Sequence, residues 1–184
     1  AMNGANIFDL ENNKLIFEKH IDNEIIKNIL DYISGSKIAA WIYSKNGIEN
    51  RIIYSVKIPL KKIISKFNYG KIVELDQSQI DNDLVFKILL MSYHKSLINN
   101  VIEWIKKEYD DELSIVKINA KTIEITARNI SKGSAIEFIQ NIENFKLDEI
   151  ASLGDSQNDY SMFKLCKYNI CLLYTSPSPR DRQK

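Results

Sequence analysis

Ile150-Ala151-Ser152-Leu153 runs straight into Gly154-Asp155-Ser156-Gln157-Asn158-Asp159. Four residues without polar–apolar alternation suit a strand covered on both faces, which is the habit of a parallel sheet. A parallel strand also needs a crossover partner, usually a helix. The flanks supply one on each side. Ser131 is a candidate N-cap for a helix whose buried face is Ala135, Ile136, Phe138 and Ile139. A second helix is expected from about Tyr160 to Leu165, and Tyr168–Ile170 opens another strand. Helix, strand, loop, helix, strand is a piece of a doubly wound α/β sheet.

The preceding chain follows a different grammar. Asn6–Asp9 and Leu15–Lys19 flank Glu11-Asn12-Asn13 as a hairpin. Asp22 reads as an N-cap for Ile25, Ile26, Ile29, Leu30 and Ile33 at helical spacing, with Gly35 as the stop. Ile38–Tyr43 and Arg51–Val56 flank Ser44-Lys45-Asn46-Gly47, which predicts a second hairpin. Pro59 opens a helix with Leu60, Ile63, Ile64 and Phe67 on one face. Ile72–Leu75 and Leu84–Met91 predict buried strands. Leu97, Val101, Trp104 and Ile105 mark a helix ending near Tyr109. Leu113–Ile118 and Thr122–Thr126 read as an antiparallel pair. Residues of roughly 20–125 therefore form an α+β module, and the parallel layer begins after it.

Composition narrows the function classes. With 184 residues, 45% of them hydrophobic, the chain has enough material for one domain or two small ones with a real core. Twenty-five basic residues against 24 acidic leave no electrostatic footprint for nucleic acid, so no nucleic-acid partner is expected. No apolar run approaches the ~20 residues that span a bilayer, so no membrane role is expected. Cys166 and Cys171 match neither a redox pair nor a zinc knuckle, and a cytoplasmic setting is the natural expectation.

The loop after the strand is the first candidate site. Ligands of open α/β sheets sit beyond the carboxyl ends of the strands. Gly154 lets the chain turn there, Asp155 stands at the strand tip, and Asp159 reaches the same spot if the loop curls. Mg²⁺ favours such oxygens. Asn158 can bond a phosphate oxygen or orient a carboxylate. Asp and Asn also favour turns and helix caps for purely structural reasons, and Asp159 precedes a helix. A calcium loop is excluded, because its sixth position is Tyr160 and its twelfth is Cys166. Lys132 is the second candidate. A lysine in the first turn of a helix opposes the helix dipole, so its placement makes sense where an anion must be held. The alternative is an ordinary solvated lysine. His20 and His94 each stand alone and support no metal site; Trp41 and Trp104 are expected to pack in the α+β module.

Lys132-Gly133, a helix, a spacer, a strand, and then Gly154-Asp155, Asn158-Asp159 and Met162 together resemble the C-terminal part of the Cof-type (class IIB) haloacid dehalogenase-like hydrolases. Asn3-Gly4-Ala5 near the start is similar to the segment of that family that leads into its cap. The resemblance implies an α/β fold: a partial Rossmann-like core with a parallel sheet and an inserted α+β cap. It implies residues 1–19 as core leading into the cap, 20–125 as cap, and 126–170 as the C-terminal part of the core. It implies Mg²⁺-dependent hydrolysis of a small phosphorylated metabolite through an aspartyl-phosphate, with Lys132, Asp155 and Asp159 as catalytic residues. Asp155 and Asp159 would serve the metal, and Asn158, Asn3 and Gly4 the substrate. The family's nucleophile sits in Asp-x-Asp-Gly-Thr. Here Asp81-Asn82-Asp83 alone fits the first letters, with no Gly-Thr after it and in the cap, so the nucleophile is expected upstream of Ala1 and the chain by itself inactive. A non-catalytic ligand- or partner-binding module, a dedicated sugar-phosphate phosphatase and a phosphomutase remain open as alternatives. Cys171–Asp181 also matches, over eleven consecutive residues, a translated sequencing-library adapter, so residues 171–184 are expected to be an artefactual tail.

Overall fold

The computed structural model describes residues 2–49, 52–56, 71–75 and 77–172. It divides into two compact units, residues 1–130 and 131–184. The helix predicted from Pro59 to Phe67, and the tail beyond Leu172, lie outside the described residues.

The first unit opens with a turn, Met2–Gly4, and a hairpin of β1 (Asn6–Asp9) and β2 (Lys14–Glu18). Helix α1 (Asn23–Ile33) begins where the Asp22 carboxylate accepts a hydrogen bond from the Glu24 N–H at 2.8 Å, as its sequence predicts. Then follow β3 (Ala39–Ser44), α2 (Lys45–Glu49), β4 (Ile52–Val56), β5 (Lys71–Glu74), α3 (Gln77–Asp81), β6 (Val85–Met91), α4 (Lys95–Tyr109), β7 (Leu113–Asn119) and β8 (Thr122–Ala127). The six strands β3–β8 form one sheet in the order β5-β4-β3-β6-β8-β7. All pairs are antiparallel except β4–β5. Alternation sets one face inward: Ala40, Ile42, Ile88, Leu90, Ile123 and Ile125 are essentially without solvent contact. Ile26, Ile29 and Ile33 of α1 and Ile98, Val101 and Ile105 of α4 belong to the same core. Trp104, half-buried, stacks on Tyr32 at 4.1 Å between ring centroids.

The hairpin expected around Ser44–Gly47 is observed as the antiparallel pair β3–β4, and its connection contains the short helix α2. The Gly47 N–H donates to Ser44 Oγ at 3.1 Å and the Asn46 N–H to Asp83 Oδ1 at 2.9 Å. These side chains satisfy the amides that a helical turn leaves open, so the chain coils before β4 returns antiparallel to β3.

The second unit holds α5 (Lys132–Glu143), β9 (Ala151–Gly154), α6 (Tyr160–Leu165) and β10 (Tyr168–Cys171). Ser131 caps α5, its hydroxyl accepting from the Ser134 N–H at 3.0 Å. β9 and β10 pair in parallel, with Gly154 opposite Cys171, as the unalternated strand implies. Coverage on both faces is not observed. Ser152 and Gly154 are buried, while Leu153, Tyr168 and Ile170 are more than half exposed. The face expected to be buried on α5, comprising Ala135, Ile136, Phe138 and Ile139, is only half-buried. Among the described residues this sheet has two strands, too few to bury both of its faces.

Candidate active site

The loop after β9 closes on its own carboxylate. A 3-10 turn, Gln157–Asp159, carries Asp159 back under the strand end. Its Oδ2 accepts from the Asp155 N–H at 3.0 Å, the Ser156 N–H at 3.1 Å and the Ser156 hydroxyl at 3.0 Å. Its Oδ1 accepts a charge-assisted hydrogen bond from Lys132 Nζ. Asp159 is 3% exposed, whereas the Lys132 side chain keeps 33% of its surface in solvent. Burial pushes the Asp159 carboxyl upward, but Lys132 and the three donors of Asp155 and Ser156 outweigh it and hold the group at about 2, below its usual 3.8.

Two glycines make this closure possible. A Cβ on Gly154 would lie 2.6 Å from Asp159 Oδ2. Gly154 does not have a positive φ, so it is there for room and not for a sharp backbone turn, which corrects the reason read from the sequence. A Cβ on Gly133 would lie 2.6 Å from the carbonyl oxygen of Ser161. The Gly133 N–H instead donates to Ser161 Oγ at 3.0 Å. That close approach of α5 to the first turn of α6 sets Lys132 over Asp159. The anion that explains a lysine at this helix N-terminus is thus, within the chain itself, the Asp159 carboxylate.

The structure brings Lys132, Asn158 and Asp159 together, with Asp155 in the same loop. Asn158 Oδ1 accepts from Lys132 Nζ at 3.5 Å and from the Ser156 hydroxyl. Asp155 is exposed, and its carboxylate has no hydrogen bond or ion pair among the described residues. Asn3 and Gly4 belong to the other unit, where Asn3 Nδ2 donates to Glu124 Oε2 at 2.6 Å and Gly4 is buried. Asp81 and Asp83 serve the fold: Asp81 pairs with Lys27 at 2.7 Å, and Asp83 accepts from the Asn46 and Leu84 N–H groups.

Among the described residues no three His, Cys, Asp or Glu side chains converge on one point. Mg²⁺ can bind through one or two carboxylates, keeping waters or phosphate oxygens for the rest. Asp155 fits it as a carboxylate that nothing else occupies. Asp159 has both oxygens engaged and fits a supporting place. Ser156 and Ser161 were not singled out from sequence. Ser156 stands three residues before Asp159, the spacing of a capping box, and could have been found that way. Ser161 carries no such signal.

A family model described as haloacid dehalogenase-like hydrolase matches residues 1–178. A provisionally named phosphatase of Mycoplasma pneumoniae is 27% identical over 180 residues, covering 97% of this chain and 63% of that protein. The chain spans 63% and 60% of the lengths of the two Mycoplasma relatives it matches first. Among solved structures, a haloacid dehalogenase-like hydrolase from B. subtilis aligns with a TM-score of 0.73 at 20% identity, over 92% of this chain and 66% of that one. A sugar phosphatase of HAD subclass IIB aligns with a TM-score of 0.73 at 20% identity, over 92% and 62%. These two likenesses establish a shared fold. Among the described residues, no helix is long and apolar enough to cross a membrane.

Proposed function

This chain belongs to the haloacid dehalogenase-like hydrolase family, and from that premise we propose that the longer protein is a Mg²⁺-dependent phosphatase of small phosphorylated metabolites, sugar phosphates among them. The observation that carries the reading is the Lys132–Asp159 pair beside an Asp155 carboxylate with no partner among the described residues.

In this reading Asp155 holds Mg²⁺, which would supply positive charge against the phosphate oxygens. Asp159 fixes the loop and orients Lys132. Lys132, a third exposed and tethered at one side, turns its remaining N–H donors toward the phosphoryl group and lowers the cost of its developing charge. Asn158 bonds a phosphate oxygen, and Asn3 and Gly4 contact the substrate. The nucleophilic aspartate would belong to an Asp-x-Asp-Gly-Thr segment that these 184 residues do not contain. Residues 20–125 act as a cap that covers the site and selects the substrate. The setting is cytoplasmic.

Phosphate release by the full-length protein from a panel of sugar, nucleoside and cofactor phosphates, with and without EDTA, tests this. Release that needs Mg²⁺ and falls at least ~10²-fold in Lys132→Met supports it. Release unaffected by EDTA, or none from any substrate, overturns it.

A further inference from the structure

A second charged pair, Lys87 and Glu124 in the first unit, has no role assigned in that reading. Glu124 in β8 is 6% exposed. Its Oε1 accepts from Lys87 Nζ at 2.8 Å and its Oε2 from Asn3 Nδ2 at 2.6 Å. Lys87 Nζ lies 4.5 Å from the centroid of the Tyr43 ring. The register explains the grouping. Tyr43 is opposite Lys87, and Glu124 is opposite Leu89, two residues along the same face from Lys87. Lys87 and Glu124 are therefore diagonal neighbours across β6 and β8.

What the cluster grips is unusual backbone. Met2, Asn3 and Gly4 have φ of 48°, 58° and 99°, three consecutive residues in the left-handed region, two of them not glycine. Such backbone persists only where its surroundings hold it. Ala5, next in line, is fully buried and its N–H donates to the Met2 carbonyl at 3.1 Å. Among the described residues, the Asn3–Glu124 hydrogen bond, between residues 121 apart, ties the turn to the sheet. A sheet gains little from a buried ion pair that an apolar pair of similar volume could replace. Here the carboxylate does something an apolar residue could not: one oxygen neutralises Lys87 and the other fixes Asn3.

We propose that Glu124 is a positioning residue, holding through Asn3 the left-handed Met2–Gly4 turn in the one orientation that presents it to a phosphorylated substrate. This rests on the reading in which Asn3 and Gly4 contact substrate. Lys87 pairs with the carboxylate and aims it, and Tyr43 keeps Lys87 in place.

The test has two readouts. In the full-length protein, Glu124→Leu and Asn3→Ala each raise KM about tenfold and leave kcat within about twofold. The double variant is no worse than either single one, and Glu124→Gln, which keeps an oxygen for Asn3, recovers part of the loss. A lowered melting temperature with unchanged kcat and KM, or additive losses, overturns the proposal. In the 184-residue chain, NMR of the Asn3 side-chain NH₂ and the Gly4 amide reads the turn without catalysis. Glu124→Leu moves both resonances strongly and Glu124→Gln weakly; unmoved resonances also overturn the proposal. If the full-length protein releases no phosphate at all, the phosphatase reading fails and the substrate clause falls with it, while the NMR result still decides whether Glu124 sets the turn.

Discussion

Gly154 and Asp159 occupy each other's space: the strand's last residue has no side chain, and the carboxylate five positions on fills the place a Cβ would take, 2.6 Å from Oδ2. Gly154→Ala therefore forces the backbone or Asp159 to move. Its expected cost is about 2 kcal/mol, the scale of overpacking in a tight interior. Urea unfolding of the two chains checks it, and an unchanged midpoint refutes the contact.

Asp159 makes the second unit acid-sensitive in a defined window. Its folded value of about 2 lies below the ordinary 3.8, so the stabilisation is complete above pH 3.8 and is lost as pH falls from there through 2. Its size is about 2 kcal/mol. In Lys132→Met the largest of the causes that lower it is gone, so the Asp159 carboxyl titrates higher than in the wild type. Carboxyl-carbon NMR between pH 1.5 and 6 follows both.

The two aspartates of the loop separate in their consequences. Asp155 is exposed and unpartnered among the described residues, so Asp155→Asn leaves stability within about 0.5 kcal/mol. In the full-length protein the same change weakens Mg²⁺ binding at least ~10-fold, read by calorimetry. Asp159→Leu leaves Lys132 and two backbone N–H groups without their acceptor and destabilises by about 3 kcal/mol. Equal stability losses in the two variants contradict this division.

Ser161 meets Gly133 where α5 approaches α6. Ser161→Ala removes the acceptor of the Gly133 N–H and is expected to cost about 1 kcal/mol. In the full-length protein it also lowers kcat, because Lys132 is the residue next to that anchor. Hydrogen exchange at Gly133 and kcat should change together.

Much of this was legible in the chain because it is local. Asp22 and Ser131 announce their helices by capping chemistry, and the apolar runs Ile38–Tyr43 and Leu84–Met91 announce two strands of the sheet. The loop residues Asp155, Asn158 and Asp159 stood out by type and spacing. What escaped is what sequence separation hides. The Lys132–Asp159 pair joins residues 27 apart, and Asn3–Glu124 joins residues 121 apart. Nothing in Thr122–Ala127 marks Glu124 as an anchor. The helical turn at Lys45–Glu49 escaped for the same reason, since one of its amide acceptors, Asp83, lies 37 residues away.

The Asp159 carboxylate gathers its two neighbouring backbone amides, a hydroxyl and an ammonium before any ligand arrives. The conformational entropy of Asp155–Asp159 is thereby lost on folding and not on binding. A cation reaching Asp155 meets a stiff rim, so the calorimetric signature of its binding should be dominated by water release and not by ordering of the chain.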